Sequence, residues 1–186
     1  MTYEAIVIGV SSGGMSAMKV LFAQLPEDFP IPIIIVQHIS ARSDNQWITI
    51  FNEKSELLIK EADEKELIEK GRIYIAPANY HLLVEKDHTF SLTIDEKVNF
   101  ARPSIDVLFE SAAEAYAEKL IGVILTGSNH DGTLGLKKIK ECGGLTIAQD
   151  PATAESHFMP ASAIAACQPD YILPLEEIIV LLMQLA

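Results

Sequence analysis

Three short segments of this chain carry side chains that could act together on an acyl group. GVSSGG sets Ser11 in a glycine-rich turn, VQH ends in His38, and LTGSNHDG carries Asp131. A serine hydroxyl attacks a carbonyl when an imidazole takes its proton. A carboxylate completes such a relay by holding the ring in one tautomer and stabilising the imidazolium. Taken singly, each residue has an ordinary explanation. A serine between glycines caps a helix or cradles a phosphate, a histidine can end a strand with its polar atoms satisfied, and Asp-Gly marks a turn. The three gain meaning only if the fold delivers them to one place.

The opening turn fits one motif better than another. In the dinucleotide fingerprint G-x-G-x-x-G, Gly9, Ser11 and Gly14 occupy the key positions, so the middle glycine is missing. That glycine lets a pyrophosphate approach the backbone, and the acidic residue expected after the second strand is replaced by His38. The pattern G-x-S-x-G matches at Gly9, Ser11 and Gly13. The chain order serine, histidine, aspartate is not that of the α/β-hydrolases. The reading is therefore a serine hydrolase of another class. A nucleotide-binding module and a non-catalytic interaction domain on the same fold are the alternatives.

The elements that must position these residues follow from apolar periodicity. YEAIVIGV, IPIIIVQH and IGVILTG are short, nearly continuous apolar runs, as expected of strands buried on both faces. MSAMKVLFAQL, PSIDVLFESAAEAYAEKL, TLGLKKIKECGG, MPASAIAAC and LEEIIVLLMQL read as helices, as does a shorter DNQWITIFNEK capped by Asp44. Ser104 is placed to cap the second of these, and LTIAQ and YIL add two strands. GRIYIAPANYHLLVEKDHTFSLTID reads as an antiparallel excursion of short strands at a sheet edge. Alternation of strands and helices implies an α/β fold, a doubly wound, mostly parallel sheet with helices on both faces. Residues 1–186 are read as a single domain. Ligands of such sheets bind beyond the carboxyl ends of the strands, where Ser11, His38 and Asp131 would converge.

Composition narrows the classes further. Of 186 residues, 49% are hydrophobic and 22% charged, an ordinary globular balance. A formal net charge of -12 argues against nucleic acid and anionic membranes, both of which demand Lys and Arg. The two cysteines, Cys142 and Cys167, form no CxxC pair, so neither a zinc site nor a disulfide framework is expected. Without a signal peptide or an apolar span, the expected location is cytoplasmic.

VIGVSSGGMSAM, VQHIS, IYIAPANYHL, RPSIDVLFESAA, VILTGSNHDGTLGLKKIKECGGLTIAQD and FMPASAI, in that order, resemble the catalytic domain of the chemotaxis protein-glutamate methylesterase (CheB) family. The resemblance places the nucleophile at Ser11, the histidine at His38 and the aspartate at Asp131. It implies hydrolysis of γ-glutamyl methyl esters on methylated chemoreceptor cytoplasmic helices, with release of methanol, and deamidation of receptor glutamines in some members. It also implies a receptor as partner and no cofactor or metal. Family members usually carry a receiver domain ahead of the catalytic strand. Here the chain starts at that strand, so control by phosphorylation in cis is not implied, and a separate response-regulator receiver is a candidate partner. Where the family commonly reads L-T-G-M-G-x-D-G, this chain has Ser128 and Asn129 in place of the methionine and glycine. Oxyanion and substrate contacts are expected from Ser12, Gly13, Gly14, Ser128, Asn129 and Met159. Arg102 is a weaker candidate for an acidic receptor helix, and Phe158 for the pocket wall. His130 could tune the site, whereas His81, His88 and His157 are taken as structural or surface residues.

Overall fold

Short apolar runs rich in Ile and Val make the central strands here. The computed structural model describes residues 2–40 and 46–186. The expected cap Asp44 lies outside the described residues. The strands are β1 (Ala5–Val10), β2 (Ile33–Gln37), β3 (Leu58–Glu61), β4 (Arg72–Ile75), β5 (His81–Val84), β6 (Phe90–Thr93), β7 (Leu120–Ile124), β8 (Leu145–Gln149) and β9 (Tyr171–Leu173). The helices are α1 (Gly14–Gln24), α2 (Gln46–Asn52), α3 (Ile105–Tyr116), α4 (Thr133–Glu141), α5 (Phe158–Cys167) and α6 (Leu175–Leu185). No helix among the described residues is long and apolar enough to cross a membrane.

Seven strands form one parallel sheet in the order β3-β4-β2-β1-β7-β8-β9. Side chains alternate across it, because successive Cβ atoms of a strand point to opposite faces. Ile6, Ile8 and Val10 of β1 join Ile33 and Ile35 of β2 in a core with Met18, Leu21, Phe22, Ile178 and Leu182 of α1 and α6. Ala5, Val7, Ile34 and Val36 enter the opposite core with Ile105, Leu108, Phe109, Leu136 and Met159 of α3, α4 and α5. Every residue of β1, β2 and β7 is buried, as the apolar runs predict.

The middle of the chain corrects one expectation. GRIYIA is not part of an edge hairpin. Its strand β4 is an interior, parallel member of the main sheet, paired with both β2 and β3. The edge position goes to β3, which apolar patterning misses because LIKE is short and half charged. β5 and β6 pair antiparallel in a separate two-stranded sheet, with Leu82, Val84 and Phe90 buried in the same core as α3.

Both neighbours of β1 are reached by crossovers on opposite faces, which places β1 at the switch point of the sheet. A crevice opens there beyond the strand ends. Gly9 sets how closely α3 approaches that point. A Cβ added at Gly9 would lie 2.4 Å from Ile105 Cγ2, so the first turn of α3 rests directly on the β1 backbone.

Candidate active site

Ser11 follows β1 without a break, and its N–H donates to the Thr126 carbonyl at 2.9 Å, continuing the ladder toward β7. Gly13 then takes φ 81°, a conformation open to glycine, and the chain turns into α1. Gly14 serves a different end. A Cβ there would lie 1.9 Å from Gln37 Oε1, so its absence admits the Gln37 side chain beneath the turn. Gln37 Nε2 donates to the Ser11 carbonyl at 3.1 Å and the His38 carbonyl at 2.9 Å. One amide group thereby ties the serine turn to the end of β2. The His38 N–H adds a bond to the Val10 carbonyl at 3.1 Å.

These constraints bring the three residues into line. His38 Nδ1 lies 3.1 Å from Ser11 Oγ, and Nε2 lies 2.7 Å from Asp131 Oδ2. A ring flip would set carbon atoms against both partners, so the nitrogens are assigned by their neighbours. Nδ1 is the atom that can accept the serine proton, and Nε2–H is held by the carboxylate.

Asp131 has no exposed surface. Its Oδ2 also accepts from the Ile105 N–H at 2.6 Å. Oδ1 accepts from Ser104 Oγ at 2.8 Å, Asn99 Nδ2 at 2.9 Å and the Asp106 N–H at 3.2 Å. The carboxylate thus sits on the N-terminus of α3, where unpaired N–H groups and the helix dipole favour negative charge. Burial, the largest influence, pushes the carboxyl upward. The hydrogen bonds from His38, Asn99 and the Ile105 N–H together outweigh it and hold Asp131 below the ordinary aspartate value. Asp106, one residue into the helix, accepts from the Gly135 N–H at 2.6 Å and from Asn99 Nδ2 at 2.8 Å. Burial, with the Asp131 charge adding to it, pushes Asp106 upward despite these bonds.

The remaining candidates separate by position. Ser12 Oγ and Ser128 Oγ are 2.8 Å apart at the exposed edge of the turn. Asn129 reaches the histidine, with Nδ2 3.2 Å from His38 Nδ1. The Gly14 N–H donates to the Ser11 carbonyl at 2.8 Å and closes the turn, so it is not free for an oxyanion. Among the described residues, the Ser12 and Gly13 N–H groups have no acceptor. Met159 belongs to the core, not the pocket. It is fully buried, its N–H donates to the Gly127 carbonyl, and its sulfur and methyl pack where a Gly127 Cβ would stand. Phe158 is half exposed. His130 is exposed, and its carbonyl accepts from the Thr133 N–H. His81 is a structural histidine: Nε2 donates to the Glu96 carbonyl, and Nδ1 accepts the Ser104 N–H.

A cleft of about 730 Å³ opens over Ser11 and His38, lined further by Asn79, Lys97, Phe100, Arg102 and Asn129. Arg102 is held by Asn79 Oδ1 and the carbonyls of Ile94 and Asp95, with no carboxylate partner among the described residues. Phe100 stands 95% exposed at the rim. Among the described residues, no group of His, Cys, Asp or Glu side chains is placed to hold a metal ion. Gln37, Asn99 and Asp106 are site residues that sequence reasoning misses. The hydroxyl of Ser104, which the sequence marks only as a helix cap, also serves Asp131.

The chain is similar to known proteins in sequence and in fold. The profile of the CheB methylesterase family matches residues 6–182. A relative from Leptospira interrogans is 62% identical over 185 residues, covering 100% of this chain and 96% of that protein. The Thermotoga maritima protein-glutamate methylesterase/protein-glutamine glutaminase is 38% identical over 174 residues, covering 92% of this chain and 51% of its own length. The crystal structure of the Thermotoga maritima CheB methylesterase catalytic domain superposes with a TM-score of 0.94 at 37% identity, with full coverage of both chains.

Proposed function

The chain belongs to the CheB methylesterase family, and from that premise we propose that it hydrolyses γ-glutamyl methyl esters on chemoreceptor cytoplasmic helices and deamidates receptor glutamines at the same site. The observation that carries this reading is the relay Ser11 Oγ–His38 Nδ1 at 3.1 Å and His38 Nε2–Asp131 Oδ2 at 2.7 Å, set at the mouth of a cleft.

In the first half-reaction Ser11 Oγ attacks the ester carbonyl carbon, and its proton moves to His38 Nδ1. Charge grows on the carbonyl oxygen, and the Ser12 and Gly13 N–H groups are the donors available to it. The tetrahedral intermediate collapses, the C–O bond to the methyl-bearing oxygen breaks, and Nδ1–H protonates that oxygen to give methanol. Asp131 keeps the ring aligned and stabilises the imidazolium. Water then attacks the acyl-serine with Nδ1 again as base. The glutamate carboxylate leaves and Ser11 regains its proton. With a glutamine substrate the same steps expel ammonia.

Among the described residues lining the cleft, Lys97 and Arg102 are the charged ones, and both are cationic. On a chain of net charge -12 they favour an acidic helix at this cleft. A fluorophosphonate probe tests the nucleophile assignment. It is expected to form a single adduct on Ser11, located by peptide mass spectrometry, and to label His38→Ala poorly. An adduct on another serine would overturn the assignment.

A further inference from the structure

Asn129 is placed to decide which protonation state His38 presents to the serine. Asn129 Oδ1 accepts the Asp131 N–H at 3.0 Å, which fixes which end of the amide is oxygen. The other end, Nδ2, therefore faces His38 Nδ1 at 3.2 Å. An amide NH2 only donates, so Nδ1 must offer a lone pair. The same lone pair faces Ser11 Oγ at 3.1 Å, while Nε2–H is committed to Asp131.

We propose that Asn129 is a positioning residue that holds His38 neutral at Nδ1, with its lone pair toward Ser11. This inference rests on the serine-relay reading above. The ring at rest is held from both ends, by an acceptor at Nε2 and a donor at Nδ1. After Nδ1 takes the serine proton, its N–H faces the Asn129 NH2, donor against donor. That conflict directs the Nδ1–H to the departing methanol oxygen. Asn129 thereby disfavours a parked imidazolium and returns the base to its working form.

The competing role is structural: Asn129 Oδ1 only closes the turn that presents Asp131. Two substitutions separate the roles. Asn129→Asp keeps an acceptor for the Asp131 N–H but sets a carboxylate oxygen against Nδ1, which favours a proton there. Asn129→Gly removes both interactions. Turnover of a methylated receptor fragment is expected to fall about 10²-fold or more in Asn129→Asp, on the scale of losing a general base. Asn129→Gly is expected to fall only about tenfold. If Asn129→Asp is as active as Asn129→Gly, or more so, the turn alone matters and the proposal fails. A second readout needs no substrate: ¹⁵N resonances of the His38 ring in histidine-labelled protein, assigned with His38→Gln. The wild type is expected to show Nδ1 unprotonated, and Asn129→Asp to show it protonated at the same pH. An unchanged Nδ1 signal in Asn129→Asp overturns the proposal. A wild type that turns over no methylated fragment defeats the esterase reading, and the ring signals still judge Asn129.

Discussion

Among the described residues, Asp131 accepts five hydrogen bonds, from His38, Asn99, Ser104 and the N–H groups of Ile105 and Asp106. Removing one donor leaves a buried charge less satisfied, which costs about 1–3 kcal/mol. Asn99→Ala is therefore expected to lower unfolding stability by that amount and to lower kcat about tenfold, read by chemical denaturation and steady-state kinetics. The same carboxylate sets a pH dependence. Its pKa in the folded chain lies below the value of about 3.9 expected when unfolded. Its contribution is thus fully present above about pH 4 and is lost as pH falls through the folded value. The stability gap between wild type and Asp131→Asn is expected to narrow below about pH 4. A gap that stays constant down to pH 2 would show that the charge contributes nothing to stability. Ser11, His38 and Asp131 were legible because each follows a buried apolar strand whose end is easily located. Asn99 was not. It lies in a loop 32 residues from Asp131, and no periodicity or motif in a single sequence connects the two.

Among the elements, α3 bears most on the site, because its first turn seats the aspartate while its apolar face packs on the sheet. Gly9 allows that seating through its contact with Ile105. Gly9→Ala would push Ile105 away from β1, at a cost of about 1–3 kcal/mol from overpacking. Its stability loss should be accompanied by a kcat loss, since the Ile105 N–H bond to Asp131 moves with the helix. Thermal unfolding and turnover measured on one preparation check this. A destabilised variant of normal kcat would show that α3 does not position the aspartate. The buried strands and amphipathic helices followed from composition and spacing. The place of GRIYIA did not, because an isolated apolar run of four residues fits an interior parallel strand and a hairpin equally well. Only the partners, β2 on one side and the half-charged β3 on the other, decide it.

At the scale of the whole molecule, a chain of net charge -12 carries a cleft whose lining includes Lys97 and Arg102. Arg102 is anchored through neutral acceptors, so its charge stays available to a ligand. Lys97→Glu is expected to raise KM for an acidic receptor helix several-fold at low salt with little change in kcat. The difference should shrink as salt is added and screening shortens the reach of the charges. A KM insensitive to the substitution at low salt would place the helix elsewhere.

The central claim, that this site removes methyl groups from glutamyl esters through Ser11, is tested most directly by methanol release. Methylated chemoreceptor cytoplasmic fragments would be incubated with wild type and with Ser11→Ala of matched thermal stability. Release by the wild type, lowered on the order of 10⁴-fold or more in Ser11→Ala, is the predicted result. Equal release from the two proteins, or none from the wild type, would contradict it.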